Sequence, residues 1–408
     1  MLSVQRTDRV IPQFLLPAVA AVQAKTAPAV RDKLMINKQR LIRLTQELIK
    51  IDSQNPPGDE VRIANFVKSY LCRLGLKTRS YQFQKKRVNL IAILPGKNNK
   101  RSLLITPHLD TVPAGQGWHF APLDGKIRGD RIYGLGATDC KGNLAVALET
   151  IISLVEEKTV LGYKLIFAAT ADEESGSILG LAPLLDKGLL KPDAALVLDS
   201  DDFDIVVAQK GLAHIKVKIT GKKAHGAYPW LGENAIDQAI EILRELKKQK
   251  TPVPKNSFLR PPTMNIGTIR GGDKVNVVAD WCDFELDFRF LPGSSGQELL
   301  ARLKQAIQKH TGKFKIEIEG IQKPYTIDRA HPLVKYLEKA MRKNQIKPRL
   351  KGSEGATVIS FFQDKKIPAL ATGFGCAEQA HAADEYVKIS NLYKGSFILT
   401  DFLKSFNF

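Results

Sequence analysis

The stretch "KLIFAATADEESGS" (164–177) decides the fold. Its first eight residues form a mostly apolar run with no alternation, which reads as a strand buried on both faces. The run then meets three consecutive acids, Asp172, Glu173 and Glu174, followed by Gly and Ser. Adjacent carboxylates repel unless something cationic lies between them. Neighbouring strand side chains also point to opposite faces. The acids are therefore either solvated turn residues or splayed around a positive centre.

Three more continuous apolar runs surround this one: "NLIAILPG" (89–96), "SLLITPH" (102–108) and "AALVLDS" (194–200). Helical patterns separate them. "KQRLIRLTQELIKI" (38–51) sets Leu41, Leu44 and Leu48 on one face. "VRIANFVKSYLCRLG" (61–75) stops at Gly75, and "GNLAVALETIISLVEE" (142–157) is a third helix. "SQNPPGDE" (53–60) is a loop, since Pro-Pro-Gly cannot continue a helix. The expectation is α/β, with a mixed, largely parallel central sheet flanked by helices.

The texture changes near Gly211. "GLAHIKVKITG" (211–221) alternates like a half-exposed strand, and "ENAIDQAIEILRELKKQ" (233–249) reads as helix. "TMNIGTIRGG" (263–272) and "KVNVVADWCDFELDFRFLPG" (274–293) read as strands, "SGQELLARLKQAIQKH" (295–310) as helix and "KFKIEIEG" (313–320) as strand. That β-α-β-β-α-β order is the ferredoxin-like unit. "HPLVKYLEKAMRKN" (331–344) and "PALATGFG" (368–375) then resume the first pattern. The expected domains are an N-terminal extension (1–34), a first catalytic part (35–209), an inserted α+β lid (210–322) and a second catalytic part (323–408).

Bulk numbers agree with two domains. At 408 residues the chain exceeds the ~250–300 residues that one core sustains. It carries 61 Lys and Arg against 42 Asp and Glu, net +19. The lysines are scattered through apparent turns and helix ends, and no zinc-finger or aromatic-basic motif accompanies them, so no nucleic-acid partner is expected. Four scattered cysteines without a C-x-x-C pair fit a reduced, cytoplasmic compartment. No run reaches the ~20 apolar residues of a membrane span. The opening "MLSVQRTDRVIPQFLLPAVAAVQA" (1–24) partly resembles a secretory signal, but Asp8 and Pro17 interrupt it. An appended helix or a start at Met35 fits better.

Ligands of an open α/β sheet gather at the carboxyl ends of its strands. There the sequence places His108 and Asp110, Asp139, the acids 172–174, Asp199 with Asp201 and Asp202, and His381. Each alone is commonplace, as a surface pair, a solvated turn or a helix cap. Five segments converging are not, because so many carboxylates need a cation. Imidazole and carboxylate donors without thiolate suit zinc, with cobalt or manganese as substitutes. A Glu beside a ligand is placed to act as a base.

The motifs "HLDTVPAG" (108–115), "GWHFAPLDGKIRGDRIYGLGATDCKG" (117–142), "ADEESGS" (171–177), "HGAYPWLGENAI" (225–236), "GGDKVNVVADW" (271–281), "LDFRFLPG" (286–293) and "AHAADEYVKI" (380–389) occur in this order. The chain resembles the co-catalytic zinc peptidase and deacylase family. That family includes acetylornithine deacetylase, succinyl-diaminopimelate desuccinylase, aminoacylase, glutamate carboxypeptidase and dipeptidases. The resemblance implies a zinc exopeptidase-like fold whose inserted lid also dimerises. It implies two zinc ions, with His108 on the first, Asp139 bridging both, Glu174 and His381 on the second, and Asp199 completing the first. Asp199 is taken over Asp201 because the family's acid lies twelve residues before the Gly that opens the lid. The resemblance makes Asp110 the partner that orients His108, Glu173 the general base and Asp139–Cys140 a cis peptide. It gives His225 an oxyanion role in the partner subunit's site, Asn276 and Arg289 a substrate carboxylate, and Gly355 in "GSEGATVI" (352–359) a place in the substrate loop. Glu354 departs from the Asp usual there, and Asp199 from the Glu frequent at its position. The implied activity is hydrolysis of an N-acyl amino acid by metal-activated water. The alternatives are a dipeptidase or carboxypeptidase of the same family and, remotely, a non-catalytic nucleic-acid-binding protein.

Overall fold

A computed structural model describes residues 36–249, 258–355 and 357–408. The expected extension 1–34 lies outside them.

The apolar runs assemble into one nine-stranded sheet. Its spatial order is Lys77–Gln84, Arg87–Leu94, Tyr163–Ala169, Asn98–Thr106, Ala194–Leu198, Ala369–Thr372, Asp204–Gln209 and Tyr325–Thr326, with Arg349–Ser353 also pairing Asp204–Gln209. Tyr163–Ala169, Asn98–Thr106, Ala194–Leu198 and Ala369–Thr372 are mutually parallel. Antiparallel pairs close the sheet on both sides. All five residues of Ala194–Leu198 are buried, as expected of a strand covered on both faces. The helix Gly142–Glu156 is buried through Leu154 and packs against Ile389–Ser405. Lys38–Lys50 buries its Leu41, Leu44 and Leu48 stripe, and Asn37 caps it by accepting from the Arg40 N–H at 2.9 Å. Because the four parallel strands point the same way, the segments after Thr106, Ala169, Leu198 and Thr372 all leave one edge of the sheet.

Two strands escape the hydrophobic pattern. Lys77–Gln84 is an edge strand of exposed and half-exposed residues with no apolar stripe. Asp204–Gln209 is wholly buried but follows directly on a run of acids.

Residues 211–322 build a second sheet, ordered Thr263–Gly271, Trp281–Phe290, Gly211–Thr220, Phe314–Gln322 and antiparallel throughout. Its buried positions alternate, and Ile215, Val217, Phe284 and Leu286 pack with Ile242 and Leu303 of the helices Ala235–Lys248 and Gly296–Gln308. Asn234 caps the first helix and a Ser295–Glu298 capping box starts the second. The strand expected from Lys274 begins only at Trp281, and the residues before it form a turn. Among the described residues no helix is long and apolar enough to cross a membrane.

Candidate metal centre

The acids after "KLIFAATA" do not continue the strand. Asp172 takes a left-handed conformation (φ 66°), and Glu173–Ser175 make a single 3-10 turn. The turn lets the two glutamates part. Glu173 clusters with His108 and Asp199, and Glu174 with Asp139 and His381. In each triplet the donor atoms lie within 4.8 Å of one another.

Asp139 joins the two groups. Its Oδ1 is 2.8 Å from His108 Nε2 and its Oδ2 is 3.3 Å from His381 Nε2. His381 Nε2 is also 3.1 Å from Glu174 Oε2, and His108 Nε2 is 3.9 Å from Asp199 Oδ1. The Asp139–Cys140 peptide is cis. Asp139, Asp199 and Asp201 line a cavity of about 390 Å³ together with Asp204, Lys351, Ser353 and Thr357.

Asp110 is fully buried and holds both halves. His108 Nδ1 meets the Asp110 backbone carbonyl at 3.0 Å, nearer than its carboxylate at 3.6 Å. The carboxylate is engaged elsewhere, accepting from the Glu173 N–H at 3.1 Å, the Glu174 N–H at 3.2 Å and Asn55 Nδ2 at 2.9 Å. The residue expected to orient the histidine thus also fixes the acidic turn.

The turn's first acid is not solvated. Asp172 is buried, with Oδ1 3.0 Å from Arg87 Nη2 and Oδ2 accepting from the Leu179 N–H at 2.9 Å. Arg87 is in turn buried against Glu60. Sequence reasoning missed Arg87, Glu60 and Asn55, and it missed Glu385, which accepts three backbone N–H groups around Asp139. Arg, Glu and Asn carry no local sign of burial. Cys140 is buried, and its sulfur accepts the His108 N–H at 3.1 Å.

The electrostatics record crowded anions. Burial, then the charge of Asp139, pushes the Asp199 carboxyl up to about 7. Burial, then Asp199, raises Glu173 well above the ordinary carboxylate range. Asp139 goes the other way, because hydrogen bonds from His108 and His381 outweigh its burial. Those to Asp139 and Glu174 lift His381 to about 10. Glu174 Oε1 is buried without a hydrogen-bond partner. An orphaned carboxylate oxygen beside two imidazoles, with raised acids around it, fits divalent cations at both triplets.

The remaining expected residues lie on other elements. Gly226 N–H donates to the Asn276 carbonyl at 2.8 Å, which brings the His225 loop and Asn276 together on the second sheet's domain. His225 is exposed, and its Nδ1 accepts from the Ala227 N–H at 3.0 Å. Arg289 gives its Nε and Nη2 to Asp287 at 2.9 and 3.1 Å and lines a separate cavity of about 270 Å³. Gly355 is exposed, and its carbonyl accepts from Ser353 Oγ.

Peptidase family M20/M25/M40 matches residues 104–405, a span that includes every residue of both triplets. The chain belongs to this family. It is 30% identical over 358 residues to an acetylornithine deacetylase of Edwardsiella ictaluri, a match that covers 85% of this chain and 91% of that protein. An acetylornithine deacetylase of Proteus mirabilis is 28% identical over 373 residues, covering 87% and 92%. Among solved structures, aminopeptidase PepT from Bacillus cereus is similar with a TM-score of 0.76 at 26% identity, covering 91% of this chain and 99% of that one. An M20 metallo-carboxypeptidase from Sulfolobus solfataricus shares the fold, with a TM-score of 0.75 at 23% identity over 89% and 98%. This M20-family chain is a metal-dependent hydrolase of amide or peptide bonds.

Proposed function

We propose that the chain removes the acyl group of an N-acyl amino acid by attack of water on its amide carbonyl. The observation that carries this reading is the pair of donor triplets, His108 with Glu173 and Asp199, and Asp139 with Glu174 and His381, joined where Asp139 Oδ1 lies 2.8 Å from His108 Nε2. His108, Asp139 and Asp199 would hold one metal, and Asp139, Glu174 and His381 the other; we take both as zinc, replaceable by cobalt or manganese. When bound, two such metals supply a water of lowered pKa and an electrophilic pull on the amide oxygen.

The chain's own residues do the rest. Glu173 takes a proton from the attacking water on a carboxylate oxygen and returns it to the leaving amine nitrogen. Asp110 keeps that carboxylate in place through the Glu173 N–H and orients His108 through its carbonyl. His225 accepts at Nδ1, so its neutral form carries the proton on Nε2 and has a donor for the developing oxyanion. It serves the partner subunit's site in a homodimer formed through the domain 210–322. Asn276 and Arg289 take the substrate carboxylate, and the loop at Gly355 borders the substrate. We place the enzyme in the cytoplasm, in keeping with four free cysteines.

A second reading has specific support. The likeness to aminopeptidase PepT, and an Asp rather than Glu at position 199, favour a substrate that is a short peptide. A panel of N-acetylornithine, N-succinyl-diaminopimelate, other acyl amino acids, dipeptides and tripeptides, assayed for free amine with added Zn²⁺ or Co²⁺, separates the two. The acyl amino acids are expected to turn over fastest; a preference for peptides selects the second reading. Glu173→Ala is expected to lose roughly 10²–10⁴-fold in kcat while binding both metals. Loss of a metal instead makes Glu173 a ligand, and activity in excess chelator overturns the mechanism.

A further inference from the structure

Glu385 is 1% exposed, and no step proposed above uses it. Its Oε2 accepts from the Gly136 N–H at 2.8 Å, and its Oε1 accepts from the Thr138 N–H at 2.8 Å and the Asp139 N–H at 3.0 Å. Three backbone donors thus converge on one carboxylate, a concave arrangement suited to an anion. Gly136 makes the concavity possible. It sits at φ 78°, and a Cβ there would lie 2.5 Å from Thr111 Cγ2.

Glu385 also connects two distant parts of the chain. Four residues before it lies His381. The Glu385 carbonyl accepts from the Gly134 N–H at 2.8 Å, and Thr138 Oγ1 donates to the Tyr386 carbonyl at 2.8 Å. The segments bearing Asp139 and His381 are therefore laced together beside the two side chains that meet at 3.3 Å. Asp139 uses one oxygen toward each histidine, so a small rotation of its backbone would spoil one of the two contacts.

We infer that Glu385 is a positioning residue for the metal centre, setting Asp139 and His381 relative to each other by gripping the Asp139 main chain. The inference rests on reading those two residues as metal ligands. Outer partners of metal ligands act through ligand orientation, and their loss typically weakens metal binding on the order of 10–100-fold. A neutral amide here keeps the volume but turns an N–H₂ group toward a backbone N–H.

The test is Zn²⁺ titration of the metal-free protein against a chromophoric chelator, for the full chain and for Glu385→Gln. The variant is expected to bind Zn²⁺ at least tenfold more weakly, and to lower kcat more than it changes KM. A role in folding alone would lower the melting temperature and leave the affinity of folded molecules intact. Wild-type Zn²⁺ affinity in folded Glu385→Gln therefore overturns the inference. Should that variant not accumulate folded, Glu385→Asp keeps the charge and withdraws it by one methylene. Tenfold weaker binding is again expected, and wild-type binding again overturns the inference. Asp139→Ala separates the two levels. If it loses Zn²⁺ while the Glu385 variants do not, only this inference falls. If it binds two Zn²⁺ as wild type does, the ligand assignment falls with it.

Discussion

Replacing Arg87 by Met should expose how much of the centre rests on one buried cation. The guanidinium is 6% exposed, and it serves Glu60 at 0% and Asp172 at 2%. Its Nε lies 3.1 and 3.0 Å from the two Glu60 oxygens, and its Nη2 lies 2.8 Å from Glu60 and 3.0 Å from Asp172. Removing one member of a buried pair costs about 3–5 kcal/mol, because the other charge is stranded.

Protonation limits the loss at Glu60. Its carboxyl is already raised by burial, with Arg87 working against the rise. Without Arg87 it enters the folded state neutral, binding a proton that the unfolded chain has released above its ordinary pKa of 4.5. Relative to wild type the cost then sets in above the raised Glu60 pKa of the wild-type fold and grows by up to about 1.4 kcal/mol per pH unit, so the loss is larger at pH 7 than at pH 5.5. Asp172 keeps its bond from the Leu179 N–H and adds less. Urea unfolding followed by circular dichroism at the two pH values measures the difference. Arg87→Met with Glu60→Met removes both charges and should recover most of the loss. A single-variant loss below about 1 kcal/mol at pH 7, or a larger loss that does not change with pH, refutes the reasoning.

Two further outcomes follow from the same charges. In the metal-free protein Asp199 and Asp201 are both pushed up to about 7, by burial first and by Asp139 next. A raised acid contributes stability at low pH and loses it between its ordinary value of 3.8 and about 7, so the metal-free protein should melt lower at pH 7 than at pH 5.5. Saturating Zn²⁺ should remove that difference; a flat or rising melting temperature without metal contradicts the account. His225→Ala should lower kcat by roughly 10²–10³-fold with metal content unchanged, the scale of one lost oxyanion donor. A loss under tenfold, or a monomeric wild type by light scattering, removes its role in the partner's site.

What the sequence made legible has a simple geometric cause. Parallel strands release their ends along one edge, so apolar runs followed by His108, the acids 172–174 and Asp199 could be placed together before any coordinates. The second sheet was legible because one exposed face imposes alternation, as in Gly211–Thr220. Lys77–Gln84 was not, since this edge strand packs only Tyr81 and Phe83 against the core and carries no sustained apolar period. Asp204–Gln209 was hidden by the acids that precede it.

The supports of the centre were illegible for a different reason. Polarity in a sequence predicts exposure, and a buried polar residue differs from an exposed one only through a partner that is distant in the chain. Arg87 meets Asp172 across 85 positions, and Glu385 meets Asp139 across 246. Gly58 shows the same limit. In "SQNPPGDE" it reads as a turn residue, yet a Cβ there would stand 2.4 Å from Arg87 Cζ. The loop must therefore approach bare for the guanidinium to reach Glu60 and Asp172. A ligand can be recognised by where its strand ends. An anchor is recognisable only by what it touches, and here the anchors decide which way each carboxylate of the acidic turn faces.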